Sequence, residues 1–195
     1  MVESLKFLQI KIPVVTNVSS WNFISKKTGW ALTKHQLHLT FFEFKVHPEI
    51  IDQVIKWFSD RSSEIEKIAK TLTFDTWQVF YKKKFHVANL KPASEIEEQI
   101  KAREGLLKEL FTSFGCFGPQ ESEKDGFPIW LYHDAHNQVI FSTSLYHRPE
   151  VWYPHVSVAM KFRKLDEKYE GMIGEWTAGV GEVSGNVWCE VLEKE

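Results

Sequence analysis

The segment HQLHLTFFEF, residues 35–44, places a histidine and a threonine on a stretch of otherwise apolar, strand-forming residues. A second segment in the other half of the chain, WYPHVSVAM at residues 152–160, does the same with a histidine and a serine. Successive side chains of a β-strand point to opposite faces of its sheet, so residues two apart share a face. Each of the two strands is therefore predicted to present an imidazole and a hydroxyl side by side on one face of its sheet.

On this periodicity, His38 shares a face with Thr40, and His155 shares a face with Ser157. The apolar residues beside them, such as Val156, are expected to point into a core. Polar side chains are costly at two adjacent positions of an enclosed sheet unless something polar occupies the space in front of them. The four polar side chains are therefore candidates for a binding or catalytic site.

An imidazole and a hydroxyl on each of two strands suit the hydrolysis of a phosphate ester. A neutral imidazole can take a proton from water while a protonated one gives a proton to the leaving oxygen. The unperturbed pKa of a histidine side chain, ~6.5, lets both forms exist near neutral pH. The hydroxyls can donate hydrogen bonds to the non-bridging phosphate oxygens. This chemistry needs neither a metal nor a cofactor, and we expect none.

Patterns typical of strands and of amphipathic helices alternate along the chain. Strands are predicted in SLKFLQIKIP, LHLTFFEFKV, LTFDTWQVFY, KKFHVANL, YPHVSVAMKF and NVWCEVLEK. Helices are predicted in SSWNFISKKTG, in HPEIIDQVIKWFSD with a further turn or two after it, and in ASEIEEQIKAREGLLKELFTSFG. The last of these helices has a predicted capping box of Ser94 and Glu97 and a predicted end at Gly115. GCFGPQESEKDG is predicted to be a polar loop, and FPIWLYHDAHNQVIFSTSL a hairpin that turns at residues 134–137.

This order of elements predicts an α+β fold with two similar lobes and a groove between them. Antiparallel-rich sheets are expected to flank the groove, with the helices on the outside. We expect a single bilobal domain over residues 1–195, with a loop and hairpin elaboration at about 115–147.

Composition narrows the classes of function. The chain has 195 residues, of which 43 % are hydrophobic and 26 % charged, as in a globular domain. Its formal charge of −2 gives no overall attraction to long nucleic acid, whose affinity for proteins comes mainly from phosphate neutralisation.

The two cysteines form neither a CxxC pair nor a disulfide framework, which favours a reducing compartment. The beginning of the chain lacks a signal-peptide pattern, and no run approaches the roughly 18 apolar residues of a membrane span. We expect a cytoplasmic monomer that binds neither a membrane nor long duplex nucleic acid.

Two H-x-[ST]-x strands in one chain resemble the 2H phosphoesterase superfamily, which includes the LigT-like RNA 2′,3′-cyclic phosphodiesterases and the viral 2′,5′-oligoadenylate phosphodiesterases. The opening strand FLQIKIP, the proline before the second motif and the closing strand NVWCEVLEK are similar to the layout of that family. The resemblance implies two pseudo-symmetric α+β lobes whose motifs face each other across a groove. It also implies that His38 and His155 form the acid/base pair and that Thr40 and Ser157 hold the phosphate. Segment 115–147 would account for the long interval between the motifs.

Three further residues near the second motif are candidates for substrate contacts. Tyr153 or Trp152 could stack on a nucleotide base, although burial of at least one of the two rings in the core is the stronger expectation. Arg148 could bind a phosphate through two hydrogen bonds, or could be an ordinary surface arginine.

Other kinds of site are less consistent with the sequence. HQLH at residues 35–38 and HDAH at residues 133–136 have a spacing that suits zinc only in a helix, and they fall at a strand start and in a hairpin turn. Cys116 follows a helix-ending glycine and has no identifiable base, so it is more simply a structural or surface cysteine than a nucleophile.

Three hypotheses for the function therefore remain. The first is a metal-independent phosphodiesterase that acts on a 2′,3′-cyclic phosphate or a 2′,5′-linked oligoadenylate. The second is a non-catalytic module of the same fold that binds a nucleotide or an RNA end. The third is an interaction domain whose histidines are satisfied core residues, which predicts that the four motif side chains are packed apart.

Overall fold

A computed structural model of the chain describes residues 5–16, 38–82, 85–92, 95–124, 126–144, 151–162, 181–183 and 188–192. These residues form ten β-strands and three α-helices, which confirms the predicted α+β class. The pseudo-symmetry of two lobes stays a prediction. The helix predicted in SSWNFISKKTG lies outside the described residues.

Strands and helices alternate in groups along the chain. The strands are β1 (Lys6–Thr16), β2 (His38–Val46), β3 (Thr73–Lys82), β4 (Phe85–Pro92), β5 (Phe117–Lys124), β6 (Phe127–His133), β7 (Val139–Ser144), β8 (Val156–Phe162), β9 (Gly181–Val183) and β10 (Trp188–Leu192). The helices are a short 3₁₀ turn (Pro48–Ile50), α1 (Ile51–Asp60), α2 (Ser62–Ala69) and α3 (Glu97–Ser113). In the part of the chain that the structure describes, no helix is long and apolar enough to cross a membrane.

All pairings between the described strands are antiparallel, and they close a ring. β1 pairs with β2, β2 with β8, β8 with β4, β4 with β3, β3 with β9, and β9 with β1 again. β10 extends the sheet from β1, and the meander β7–β6–β5 extends it from β2. A ring of six strands is too narrow to hold a helix, so the helices pack on its outside.

The core lies between the helices and the outer face of β1, β2 and β7. Phe58 of α1 packs on Phe42 and Phe44 of β2, with ring centroids 5.3 and 5.9 Å apart. Phe111 of α3 packs on Phe141 of β7 at 5.1 Å. Each of these side chains contributes roughly 1.5–3 kcal/mol by leaving water. Because the outer face is the apolar one, the polar face of β1 and β2 is directed towards the interior of the ring.

A β-bulge sets which side chains of β2 point outward. Ile10 pairs with Phe42 and Lys11 with Thr40, so Phe41 is the extra residue of β2. The bulge breaks the strict alternation, and both Phe41 and Phe42 are buried. Leu39 and Phe41 therefore both point into the core, and Thr40 between them stays on the polar face.

The C-terminal end of α3 confirms its prediction, whereas Ser94 of the predicted capping box with Glu97 lies outside the described residues. Ile96 occupies the N-cap position and makes no side-chain cap hydrogen bond. At the other end, Gly115 has a φ of +62°, a conformation that glycine adopts without strain. The N–H of the next residue, Cys116, donates to the carbonyl of Phe111 at 2.9 Å and closes the helix, as predicted.

The segment after α3 is more regular than its composition indicates. Phe117–Lys124 forms β5, which pairs with β6 through Lys124–Phe127 at the hairpin end. The predicted loop is therefore wrong, because neighbouring strands can order a polar, exposed segment through main-chain hydrogen bonds alone. The following hairpin turns at Asp134, as predicted, and Asp134 accepts hydrogen bonds from the N–H groups of His136 and Gln138 at 2.9 and 2.8 Å.

Candidate functional site

The two motif strands are neighbours in the sheet, although they come from opposite halves of the chain. β2 and β8 run antiparallel and pair at Leu39 and Val156, the residues that separate the histidine from the hydroxyl in each motif. Both side chains are fully buried. Directly opposed residues of an antiparallel pair share a face, so these two define the apolar side of the site.

The four polar motif side chains belong to the other face. Extending the register by one residue sets His38 opposite Ser157. In the other direction it sets Thr40 opposite His155, which directly precedes β8. Side chains opposed in this way have Cβ atoms ~4.5–5.5 Å apart, and diagonal positions, such as those of His38 and His155, are generally roughly 7–8 Å apart. One phosphoryl group with a hydrogen bond on either side fits such a diagonal.

This arrangement differs from what an interaction domain with core histidines would show. That hypothesis expects the four side chains to be packed apart, whereas the register of β2 and β8, extended by one residue, sets each histidine opposite the hydroxyl residue of the other motif. His38, Thr40 and Ser157 are half-buried, and His155 is exposed. A ligand can therefore reach the site, while three of the four groups are held in place by the sheet.

The main chain fixes the imidazole of His155. Its Nδ1 lies 2.8 Å from the carbonyl oxygen of Tyr153. A carbonyl oxygen only accepts hydrogen bonds, so Nδ1 carries a proton and donates it. In the neutral ring, Nε2 is then the basic nitrogen, and the ring orientation is set before any substrate arrives. Such a group can act as a general base when neutral and as a general acid when protonated.

The two aromatic residues before the second motif have different environments. Trp152 is 6 % exposed and packs edge-on against Phe41 at 5.1 Å, with its Nε1 donating to the carbonyl of Thr40 at 3.5 Å. The prediction that Trp152 contacts a base is therefore wrong in this structure, because its ring faces are covered by protein. Tyr153 is 67 % exposed, so the expectation that one of the two rings is buried is confirmed and Tyr153 is the ring that a base can reach. Arg148 lies outside the described residues.

A fully buried arginine of α3 connects β2 to the segment before β8. The Nε of Arg103 donates to the carbonyl of Phe41 at 2.8 Å, and its Nη1 donates to the carbonyl of Val151 at 3.4 Å. Its guanidinium lies 5.0 Å from the ring centroid of Phe42 and 5.4 Å from that of Trp152. The bulge takes the carbonyl of Phe41 out of the regular ladder, and Arg103 supplies its donor. Arg103 thereby holds the segment before His155 against β2.

A buried lysine borders the site on its other side. Lys11 of β1 is paired with Thr40 in the ladder and is only 9 % exposed. Its ammonium forms an ion pair with Glu190 of β10, which is more exposed. Along the same face, Gln9 donates a hydrogen bond to Glu43. The polar face of β1 and β2 therefore carries cationic, anionic and neutral groups beside the two motifs.

The other sequence candidates do not form sites among the described residues. No group of three or more His, Cys, Asp or Glu side chains within the described ranges could hold a metal ion. In HDAH, hydrogen bonds from main-chain N–H groups occupy Asp134 and lower its pKa. Burial, with a smaller contribution from the charge of Asp134, raises the pKa of Cys116 to about 11, so this thiol is a poor nucleophile near neutral pH.

Sequence inspection missed Arg103 and Lys11. For Arg103 a signal exists, because this arginine stands among the apolar positions of α3, where a charged residue is rarely placed without a partner. Lys11 alternates with Ile10 and Ile12 like any solvent-facing residue of an amphipathic strand, so its burial depends on β10, which is remote in sequence.

No family model and no curated protein matches this chain. The resemblance to the 2H phosphoesterases therefore stays an expectation drawn from the two motifs. Their geometry is the basis on which a function can be inferred.

Proposed function

We propose that this chain is a metal-independent phosphodiesterase. Its substrate is a nucleotide or a short RNA-type phosphodiester, either a 2′,3′-cyclic phosphate or a 2′,5′-linked oligoadenylate. His38 and His155 act as general acid and base, and the hydroxyls of Thr40 and Ser157 bind the non-bridging phosphate oxygens. The 2H phosphoesterases, which the motifs resemble, use this division of roles.

The observation that carries the proposal is the register of β2 and β8. Pairing at Leu39 and Val156 brings together two imidazoles and two hydroxyls that are far apart in sequence. A shift of one residue in either strand would turn its polar pair to the opposite face of the sheet. The register is in turn fixed by the burial of both central side chains.

The hydrolysis then needs two proton transfers and two positioned hydroxyls. Water attacks phosphorus and gives a proton to the neutral imidazole, while the protonated imidazole gives a proton to the leaving oxygen. The hydroxyls of Thr40 and Ser157 donate to the oxygens on which negative charge accumulates. The hydrogen bond from His155 Nδ1 to the main chain supports this mechanism, because it aims a single nitrogen of that ring at the substrate.

Tyr153 supports a nucleotide as the substrate. It is two residues before His155, it is exposed, and its own carbonyl orients that imidazole. Stacking of a base on such a ring contributes ~1–3 kcal/mol and tolerates any base. The rest of the polynucleotide is not needed for this contact, which fits the formal charge of −2 and a short substrate.

The test is hydrolysis of a small panel of nucleotides by the purified protein. Adenosine 2′,3′-cyclic monophosphate, 2′,5′-linked triadenylate and 3′,5′-linked triadenylate are incubated with and without EDTA, and products are separated by chromatography. We expect hydrolysis of one of the first two, unchanged by EDTA, and little of the third. His38→Ala and His155→Ala proteins prepared in parallel control for contaminating nucleases.

Two results would contradict this function. Activity that is lost with EDTA and restored by zinc or manganese would exclude the two-histidine mechanism. Binding of the same nucleotides in calorimetry, with no product after prolonged incubation, would assign the protein to the non-catalytic nucleotide-binding class instead.

A further inference from the structure

Lys11 is an unusual residue for the strand in which it lies. Ile10 and Ile12 on either side of it are fully buried in the core, so Lys11 points to the opposite, polar face of β1. Its side chain is nevertheless only 11 % exposed, against 43 % for the side chain of Glu190, whose carboxylate pairs with it. Burying an ammonium group is costly even when it is paired. A position on the surface of the same strand would avoid that cost.

The place of Lys11 relative to the motifs indicates a role. The β1–β2 ladder pairs Lys11 with Thr40, and the β2–β8 register sets Thr40 opposite His155. The three residues therefore lie in one row across three adjacent strands, on one face. Adjacent strands are about 4.8 Å apart, so the flexible lysine stem can bring its ammonium to a phosphate held at Thr40.

We propose that Lys11 is a third phosphate-binding group of the site, with Glu190 as the counter-ion that holds it when the site is empty. This inference rests on the proposed function for its substrate, a phosphodiester, and names a residue outside both motifs. When a phosphate enters, the ammonium of Lys11 turns to a non-bridging oxygen, and the more exposed carboxylate of Glu190 is hydrated.

The charge balance of the reaction explains the need for a further cation. One neutral and one protonated histidine together carry a single positive charge, which matches the single negative charge of a phosphodiester. When water adds, a bond forms from its oxygen to phosphorus, the bond to the leaving oxygen breaks, and the product is a phosphomonoester. A monoester has a second pKa of about 6, so the product carries up to two negative charges near neutral pH. Lys11 supplies the second positive charge, and it stabilises the transition state more than the substrate.

The test compares Lys11→Met with Glu190→Gln. Methionine keeps the apolar stem of the lysine, and the partly exposed Glu190 can be hydrated without its partner, so Lys11→Met is expected to fold. Binding of adenosine 2′-monophosphate and of inorganic phosphate is measured by calorimetry, and kcat/KM is measured on the best substrate of the panel. Lys11→Met should weaken binding of the monophosphate and lower kcat/KM by about 10- to 100-fold, as expected for the loss of a charge-assisted hydrogen bond.

Glu190→Gln separates a ligand-binding role from a structural one. If Lys11 binds phosphate, Glu190→Gln leaves the cation in place, and monophosphate binding is unchanged or tighter. If the pair only joins β1 to β10, the two variants should change thermal stability and binding alike, and that result would overturn the inference. Lys11→Arg should restore most of the binding. Lys56→Met, which removes a lysine from an exposed ion pair with Asp60 on α1, is the matched control and should change neither quantity.

The outcomes also separate this inference from the proposed function. Turnover by the wild type, with unchanged binding and kcat/KM in Lys11→Met, would overturn the inference and leave the phosphodiesterase intact. Loss of phosphate binding in Lys11→Met, in a protein that hydrolyses no member of the panel, would support the inference and contradict the enzyme.

Discussion

The two motifs have almost the same sequence pattern, but the structure holds them in different ways. His38 and Thr40 both lie within β2 and pair across the ladder with β1. His155 lies just before β8, outside the ladder, where the carbonyl of Tyr153 orients its imidazole. The first motif is thus positioned by strand pairing, whereas the histidine of the second is positioned by a hydrogen bond within its own segment and by the tertiary contacts of that segment.

The contacts that replace the ladder come from the helix side of the sheet. Trp152 and Arg103 fasten the segment before His155 to main-chain oxygens of β2. A buried arginine and a buried tryptophan can therefore determine where one of the two imidazoles lies. If the two histidines are the proposed acid/base pair, substitution of either buried residue should displace His155 and leave His38 in place.

The largest expected effect is the loss of turnover when either histidine is replaced. It tests whether the two histidines contribute equally although the structure positions them in different ways. His38→Ala and His155→Ala should each reduce turnover by ~10²–10⁴-fold, the usual contribution of a positioned acid or base. The double variant should be little worse than the poorer single one, because both groups act in the same step. The rate should follow a bell-shaped pH dependence, since one ring must be neutral and the other protonated. A flat profile between about pH 5 and 8, or undiminished turnover in either variant, would contradict paired-imidazole catalysis.

Arg103→Met tests the asymmetry between the motifs. It removes the donor to two main-chain oxygens, those of Phe41 and Val151, and should lower the free energy of unfolding by about 3 kcal/mol, as measured by urea denaturation. In conditions where the variant is folded, turnover should fall as His155 loses its fixed position. Arg61→Met is the control, because Arg61 is partly exposed and pairs with Glu109, and its loss should cost less than about 1 kcal/mol.

Chemical shifts of the two imidazoles in the Arg103→Met protein would locate the effect. A change at His155 with His38 unaffected agrees with the different settings of the motifs. Equal changes at both rings would show that β2 and the segment before β8 move as one unit, and no change at either ring would contradict a positioning role for Arg103.

The hydroxyl substitutions should have similar effects in both motifs. Thr40→Val and Ser157→Ala should each raise the activation free energy by about 1.5–3 kcal/mol if the hydroxyl donates to a charged oxygen. Single-turnover kinetics distinguishes this loss from slower product release. A much larger effect for one hydroxyl would indicate that the phosphate lies closer to that strand.

The smallest expected effect concerns the contribution of Asp134 to stability at low pH, and not catalysis. The N–H of Gln138 is the main cause that lowers the pKa of Asp134 below its usual 3.8, with further contributions from the N–H of His136 and the charges of nearby histidines. A lowered pKa means that this carboxylate stabilises the fold fully above pH 3.8, and that the stabilisation is lost as pH falls through the folded-state value. The difference in melting temperature between wild type and Asp134→Asn should therefore shrink as the pH falls below 3.8. A difference that stays the same as the pH falls through that range would contradict this assignment.

Much of the fold could be predicted because it depends on local patterns. Period-two alternation in β1 and β2 and the apolar stripe of α3 identify those elements from the sequence alone. Strand β5 is the element that residue type failed to predict. It depends on main-chain pairing with β6, which residue type predicts poorly.

For the site, the sequence by itself determined the chemistry: two imidazoles and two hydroxyls, each pair on one face of a strand, because side-chain alternation is a local property of the extended chain. Tertiary structure alone decided that the strands are adjacent and in register at Leu39 and Val156, that Trp152 is buried while Tyr153 is exposed, and that Lys11 borders Thr40. These features arise from contacts between residues far apart in the chain, which are selected by the total burial of apolar surface. No single segment of the sequence contains that information.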